Sequence, residues 1–307
     1  MNKKQIYILI CLTAVCLLMG GCGQNKKDMV SKKGFFFDTM ISVSIYCESK
    51  EQGEKLLDEV FAMCGGYENT FSRTKEESEL YRLNNRTENE VAVSDDLYAL
   101  LACAKEYYDK TDGRFDISVA PLSDIWDFKS ENPKVPDAGQ IKKVLEKVDY
   151  SLVHLEPDNT VRFDEQDTML DLGALAKGYI ADRLKEYLVS QGIERGFINL
   201  GGNVLTIGEK EDGSPWEIGI QKPFAERNEI VSYVDSVGTS VVSSGIYERY
   251  FEVDGELYYH VLDPKTGYPV ETDLAQVTVL SDSSLEGDAL STSCLILGYE
   301  KGRKMIE

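Results

Sequence analysis

The chain has 307 residues, 42% of them hydrophobic, and a formal net charge of −20. This length and apolar content suffice for one large domain or two small ones. The acidic balance argues against nucleic acid as a partner, because proteins that bind it need basic patches. The chain has only two histidines, which excludes a multi-histidine metal site. Any bound metal would therefore have mainly oxygen ligands, which points to Mg²⁺ or Ca²⁺.

The first 22 residues are typical of an export signal. A basic start with two lysines precedes an almost wholly apolar run over 6–19, and two glycines then precede Cys22. The apolar run is short for a membrane span and fits a signal peptide. Because small residues ending at a cysteine resemble the bacterial lipobox, we predict a lipoprotein signal peptide over 1–21, lipidation of Cys22, and a polar tether over 22–33. The alternative is a plain secretory signal with a chance cysteine.

Hydrophobic periodicity predicts the secondary structure of the remaining chain. The predicted helices cover 51–67, 95–110 (capped by Ser94), 140–148, 176–188 and 285–297, with a loop-rich stretch over 111–136. The predicted strands cover 34–47, 152–155, 161–163, 168–170, 197–208 (interrupted by a glycine pair), 216–220, 232–237, 241–243, 249–253, 256–261 and 276–281. No repeat or long linker divides 34–307, so we predict a single α+β domain of mostly antiparallel sheet with packed helices.

The run from Asp171 to Asp182 is the most informative segment. It joins the predicted strand at 168–170 to an amphipathic helix and places Lys177 in or near the first helical turn. Free backbone N–H groups already carry partial positive charge there, so a lysine makes sense where an anion binds. An ordinary helix start with a solvated lysine is the alternative.

A second motif lies on the last predicted helix, which Ser283 or Ser284 can cap. Asp288 and Thr292 are four residues apart and therefore project from the same helix face. A carboxylate and a hydroxyl oxygen on one face suit a hard cation such as Mg²⁺. A salt-bridged aspartate with a threonine bonded to the backbone is the alternative.

The sequence leaves open the roles of two further segments and of four cysteines. His260 stands just before a turn that begins at Asp263, where it could act as an acid, base or donor, or be purely structural. Ser243 to Tyr250 is a tight polar loop that could hold a ligand or merely turn. The cysteines after Cys22 could form disulfides or be small buried apolar residues; they are Cys47, Cys64, Cys103 and Cys294.

Taken together, these segments resemble the ApbE family, the FAD:protein FMN transferases, across nearly all of residues 35–303. The matching runs are Phe71-Ser72, Ser78 to Asn84, Gly113 to Asp116, Pro121-Leu122 with Trp126, Asp171 to Asp182, Asn199 to Asn203, Ser244 to Phe251, His260 to Pro269, and Asp288 to Thr292. The resemblance implies an ApbE/T-fold-like domain over 34–307. It also implies a reaction in which FAD is split at its pyrophosphate, AMP leaves, and FMN is joined through phosphate to a threonine or serine hydroxyl of a target protein.

The resemblance further implies a set of site residues. Mg²⁺ would be held by Asp288, Thr292 and the backbone carbonyl of Ala174. Lys177 would face the phosphates, and His260, Asp263 and Lys177 form the implied catalytic group. The residues implied to contact FAD are Phe37, Arg114, Phe115, Asp116, Asp171, Lys177, Ser244, Gly245 and His260. Phe37 departs from the family pattern, since Phe37-Asp38-Thr39 replaces the usual Met-Gly-Thr.

The predicted protein is thus a lipid-anchored, Mg²⁺-dependent flavin transferase on the extracytoplasmic face of a bacterial cell membrane. Its partners would be FAD, acceptor subunits of membrane redox complexes or extracytoplasmic flavoproteins, and the membrane itself. Two alternatives stay open: an FAD-binding lipoprotein without turnover, and a hydrolase that yields FMN and AMP. The chain stops at Glu307 where the family usually continues with a further strand, so we expect either a truncated C-terminus or a sheet lacking an edge strand.

Overall fold

The computed structural model describes residues 27–226 and 228–307. The predicted signal peptide and Cys22 lie outside these residues. The strands are β1 (Asp28–Phe36), β2 (Thr39–Cys47), β3 (Glu90–Ala92), β4 (Val153–Glu156), β5 (Thr160–Phe163), β6 (Gly196–Leu200), β7 (Asn203–Ile207), β8 (Trp216–Gln221), β9 (Ile230–Ser236), β10 (Ser240–Gly245), β11 (Tyr250–Val253), β12 (Glu256–Tyr259) and β13 (Gln276–Ser281). The helices are α1 (Lys50–Phe71), α2 (Glu79–Asn84), α3 (Asp95–Lys110), α4 (Ala120–Trp126), α5 (Ala138–Leu145), α6 (Ala176–Ser190) and α7 (Ser284–Ile306).

An antiparallel six-stranded sheet, in the order β1-β2-β6-β7-β10-β13, forms the centre of the domain. Ile41, Val43 and Ile45 recur at every second position of β2 and are fully buried, which gives the sheet one apolar face. Helices α1, α6 and α7 pack on that face and on one another. On the other face, the ring of Trp216 in β8 lies 5.2 Å from that of Phe197 in β6. The α+β class with mostly antiparallel sheet is therefore confirmed.

A second apolar cluster surrounds Trp126 at the end of α4. It contains Leu122, Trp126, Ile141, Val148, Phe251 and Leu262, and so joins α4 and α5 to the β11–β12 hairpin. Trp126 Nε1 donates a hydrogen bond to the carbonyl of Gly267 at 2.8 Å. This contact fixes the turn that follows His260.

The structure corrects several sequence predictions near the N-terminus. Residues 28–33, assigned to the tether, belong to β1, and the single strand predicted over 34–47 is a β1–β2 hairpin. Its two turn residues, Phe37 and Asp38, have φ of 52° and 58°. Such values are uncommon for residues other than glycine, so the sequence gives no turn signal there. Two contacts hold the turn: Phe37 N donates to Glu68 Oε1 at 2.9 Å, and Asp38 pairs with Lys129.

Other elements differ from the prediction in their bounds or type. Residues 168–170 are not a strand, because their chain is bonded to the side chains of Arg86 and Asn84 instead of to a neighbouring strand. The loop-rich stretch at 111–136 contains α4. The last helix extends to Ile306 across a kink at Gly298, where φ is 76°. The helix over 95–110 with its Ser94 cap and the strand over 276–281 are confirmed.

Candidate functional site

Helices α6 and α7 pack closely at the point where their two motifs meet. A Cβ at Gly178 would lie 2.4 Å from the carbonyl oxygen of Ser284, so only glycine fits between the helices. Asp182, one turn further along α6, accepts hydrogen bonds from the backbone N–H groups of Ser284 at 2.8 Å and Leu285 at 3.0 Å. Asp182 thus satisfies free N–H groups at the start of α7. The site is built on this rigid contact.

Asp288 is the buried charge of the site, with 2% of its surface exposed. Its Oδ2 accepts a hydrogen bond from Gly178 N at 3.0 Å and lies 3.5 Å from Lys177 Nζ. Lys177 Nζ also donates to the carbonyl of Gly173 at 3.1 Å. Burial raises the pKa of Asp288, and the Lys177 ammonium and the Gly178 N–H act against that rise. A buried carboxylate needs a partner of opposite charge, so this position favours a cation.

Hydroxyl groups from a strand and a helix meet beside Asp288. Thr292 lies one helical turn further along α7, and its Oγ1 is 3.2 Å from Ser244 Oγ near the end of β10. Ser244 Oγ is also 2.8 Å from Ser291 Oγ. At the next residue, Gly245, a Cβ would lie 2.4 Å from the ring of Tyr247, which fills the space of a side chain.

The donor set fits a hard cation. Across residues 27–226 and 228–307, no three His, Cys, Asp or Glu side chains converge on a possible metal position. The predicted set instead combines one carboxylate from Asp288 with the hydroxyl of Thr292 and the carbonyl of Ala174. Oxygen donors with a single carboxylate suit Mg²⁺, which keeps several water ligands. Within the described residues, the contacts of Gly178 N and Lys177 Nζ with the Asp288 carboxylate are both made to its Oδ2 oxygen.

The turn before α6 is held by Asp171, which the resemblance implied as a site residue, and by Arg73, which the sequence reasoning missed. Asp171 Oδ1 accepts a hydrogen bond from Gly173 N at 2.8 Å, and Asp171 Oδ2 lies 2.9 Å from Arg73 Nε. Arg73 Nη1 lies 2.5 Å from Asp124 Oδ1 of α4. Arg73 directly follows the Phe71-Ser72 motif, but an arginine between helices carries no sequence signal of its partners.

His260 is neutral in this environment. Its Nδ1 is enclosed without a hydrogen-bond partner in the described part of the chain. Desolvation and the nearby positive charges of Arg249 and Lys177 lower its pKa to about 4. A neutral imidazole with an unpaired ring nitrogen can accept a proton at pH 7.

Arg114 and Asp263 form an ion pair close to the turn after His260. Arg114 Nη2 lies 3.1 Å from Asp263 Oδ2, and Asp263 Oδ1 accepts a hydrogen bond from Lys265 N at 2.9 Å. Asp263 is only 6% exposed, so its carboxylate is committed to the turn and to Arg114. This geometry favours an orienting role for Asp263 over proton transfer.

Phe115 and Asp116, the two residues that follow Arg114, are largely structural. The Phe115 ring is buried and packs against Tyr107, with ring centroids 5.9 Å apart. The Asp116 carboxylate accepts hydrogen bonds from Ser118 N at 2.7 Å, Ser118 Oγ at 2.6 Å and Tyr150 N at 3.1 Å. Any contact of these two residues with FAD would therefore come from their backbone.

Positive charges surround the site although the chain as a whole is acidic. Lys129, Arg249 and Arg73 all act on Asp38, whose pKa they lower, so the β1–β2 turn lies near the groups described above. The hydrogen bond from Lys129 makes the largest contribution to that lowering. Lys177 and Arg114 lie in the same region, but four of these five cations are each paired with a carboxylate, so an anionic substrate would share them with those partners.

A cavity of about 450 Å³ lies beside the Arg114–Asp263 pair. Its lining includes Asp109, Asp112, Asp116 and Asp149 together with Lys265. Four carboxylates make this cavity unsuitable for a phosphate group. It contains none of Lys177, Asp288 and Thr292.

Among residues 27–226 and 228–307, no helix combines the length and apolar character needed to cross a bilayer.

The four cysteines after Cys22 are free thiols, and three of them are buried. Of the two roles that the sequence left open, disulfide bonding or small apolar residue, the structure favours the second. These cysteines are Cys47, Cys64, Cys103 and Cys294.

Comparisons with known proteins agree with this architecture. The ApbE family model matches residues 37–307. A FAD:protein FMN transferase of Klebsiella pneumoniae is 41% identical over 251 residues, covering 81% of this chain and 78% of that protein. A FAD:protein FMN transferase of Treponema pallidum is 32% identical over 308 residues, covering 94% of this chain and 84% of that protein.

Solved structures show the same fold. The flavin transferase ApbE from Vibrio cholerae superimposes with a TM-score of 0.82 at 27% identity, covering 92% of this chain and 91% of that one. The ApbE protein from Thermotoga maritima also gives a TM-score of 0.82, at 30% identity, covering 91% of this chain and 90% of that one. The chain therefore belongs to the ApbE family.

Proposed function

We infer that this protein is a FAD:protein FMN transferase that uses Mg²⁺ and joins FMN to a threonine or serine hydroxyl of an acceptor protein. The observation that carries the proposal is the buried Asp288 carboxylate, 3.5 Å from the Lys177 ammonium at the start of α6. Family membership and the shared name of the relatives support FMN transfer from FAD.

Asp288, Thr292 and the carbonyl of Ala174 would hold Mg²⁺. When bound, the ion neutralises charge on the FAD pyrophosphate, which is the main requirement for phosphoryl transfer. Ser244 orients the Thr292 hydroxyl through its 3.2 Å contact. Gly178 N–H holds the Asp288 carboxylate in place from the other side.

Lys177 and the N-terminus of α6 would bind the phosphates. The Lys177 side chain is 30% exposed, so its ammonium can reach a ligand while remaining near Asp288. Backbone N–H groups at the helix start add partial positive charge in the same direction. The Arg114–Asp263 pair would orient the nucleotide, with the guanidinium available as a donor.

His260 would act as the general base. The acceptor hydroxyl oxygen attacks the phosphorus on the FMN side, and its proton passes to the imidazole of His260. The bond from that phosphorus to the bridging oxygen breaks, and AMP leaves with this oxygen. The lowered pKa of about 4 keeps the imidazole neutral, the form that accepts a proton, and also makes it a weaker base than one whose pKa lies near 7.

The decisive experiment incubates the purified domain with FAD, Mg²⁺ and a flavoprotein subunit that carries an acceptor threonine. Covalent flavin fluorescence on the subunit supports transfer, and a threonine-to-valine acceptor is the matched control. Free FMN and AMP without labelled acceptor would indicate the hydrolase. FAD that survives unchanged would indicate the binding protein.

We also propose that the protein is exported and lipid-anchored through Cys22, so that its acceptors face the outside of the cell membrane. The pattern over 1–22 supports this proposal. Replacing Cys22 by alanine should shift the protein from the membrane fraction to the soluble one. Continued membrane association of the variant would contradict it.

A further inference from the structure

Arg73 connects three elements around the site. Its backbone lies just after α1, its Nη1 is 2.5 Å from Asp124 of α4, and its Nε is 2.9 Å from Asp171. The side chain is 23% exposed, so the guanidinium is largely screened from water. A planar guanidinium with fixed donor directions can bridge two carboxylates in this way, whereas a lysine offers a single point charge.

Asp171 transmits this constraint to the turn before α6. Its other oxygen, Oδ1, accepts the hydrogen bond from Gly173 N at 2.8 Å. Gly173 in turn presents its carbonyl to Lys177 Nζ at 3.1 Å, and Ala174 follows directly. The turn is thus held from one end by Arg73 and from the other by the Lys177–Asp288 pair.

Loss of the guanidinium would leave two carboxylates facing each other. Asp124 and Asp171 both contact the same side chain, so without it they would repel at short range. The accessible response is for Asp171 to turn away, which releases Gly173 N. The carbonyls of residues 173 and 174 would then lose their fixed direction.

We propose that Arg73 is a positioning residue, which holds Asp171 and thereby aims the carbonyl of Ala174 at the cation beside Asp288. The inference rests on the proposed function in one respect, namely that a divalent cation binds there. Residues that orient metal ligands from outside typically change metal affinity by about 10–100-fold when replaced.

The test compares Arg73→Gln and Arg73→Lys with the unchanged protein and with Arg303→Gln. Arg303 pairs with Glu307 at the end of α7, so its replacement controls for loss of one arginine. Mn²⁺ binding is followed by electron paramagnetic resonance in the presence of FAD, and unfolding temperature is recorded for each variant. We expect Arg73→Gln to weaken Mn²⁺ binding by about tenfold, Arg73→Lys to recover part of it, and Arg303→Gln to have no effect.

The outcomes separate this inference from the proposed function. If the unchanged protein binds no Mn²⁺, the metal proposal fails first. If it binds Mn²⁺ and a folded Arg73→Gln variant binds equally well, Arg73 has no positioning role. Should Arg73→Gln fail to fold, Arg73→Lys decides: it keeps the positive charge but loses the planar fork that bridges Asp171 and Asp124, and Mn²⁺ binding as tight as that of the unchanged protein would overturn the inference.

Discussion

Replacing Gly178 by alanine should loosen the site through the backbone of α7. The new Cβ would lie 2.4 Å from Ser284 O and 2.7 Å from Leu285 Cα, where ordinary contacts begin at 3.4 Å. The two helices must therefore separate by about 1 Å, a change that forfeits dispersion contacts along their interface. Overpacking of this kind costs about 1–3 kcal/mol, and the helix preference of alanine over glycine offsets about 1 kcal/mol.

We therefore expect the free energy of unfolding to fall by up to about 2 kcal/mol, at about 2–4 °C in unfolding temperature per kcal/mol. Because Gly178 N–H holds Asp288 Oδ2, the Mg²⁺ concentration for half-maximal FMN transfer should also rise by about tenfold. Thermal and urea unfolding measure the first effect, and Mg²⁺ titration of transfer measures the second.

Gly66→Ala is the matched control for this substitution. Gly66 lies in α1, and a Cβ there would meet nothing within 4 Å. That variant should gain about 0.5–1 kcal/mol and keep its Mg²⁺ dependence. A Gly178→Ala protein as stable as the control, with unchanged Mg²⁺ dependence, would refute the packing argument.

Three further predictions concern charge and thiols. Asp288→Asn should abolish Mg²⁺-dependent transfer. The variant should nevertheless unfold at the same or a higher temperature, because burial penalises the charge of the Asp288 carboxylate. Retained transfer would contradict the metal assignment. The folded-state pKa of His260, about 4, lies below its ordinary 6.5, so unfolded chains bind more protons and stability should fall as pH drops between those values. His260→Gln should reduce this fall in acid urea titrations and lose transfer at pH 7; an unchanged pH dependence of unfolding would contradict its neutral burial. In thiol titration with Ellman's reagent, Cys64 should react only after unfolding, because burial raises its pKa to about 12; rapid native-state reaction would show otherwise.

The apolar periodicity of the sequence predicted most of the helices and strands. The helix over 95–110 and the strand over 276–281 carry clear apolar repeats and were found at those bounds. The β1–β2 turn could not be predicted, since Phe37 and Asp38 adopt positive φ through contacts with residues far along the chain. Local propensity contains no information about such partners.

The candidate site was predicted unevenly for the same reason. Asp288 and Lys177 are brought together as the resemblance implied, because both stand at fixed positions on helices. Phe115 and Asp116 belong to the matching motif, but their side chains are used in packing and capping. Arg73 was missed because its role depends on two carboxylates contributed by distant segments.

The cap that Asp182 provides for α7 has a consequence for when the protein can act. Ser284 N reaches Asp182 across 102 positions, and Gly178 N reaches Asp288 across 110. Neither contact can form until the last helix has been synthesised and has docked. A chain that crosses a membrane unfolded would therefore carry no competent flavin site on the side where it is made. For such a chain, the first encounter with FAD would follow folding at its destination, and flavin would have to be supplied there.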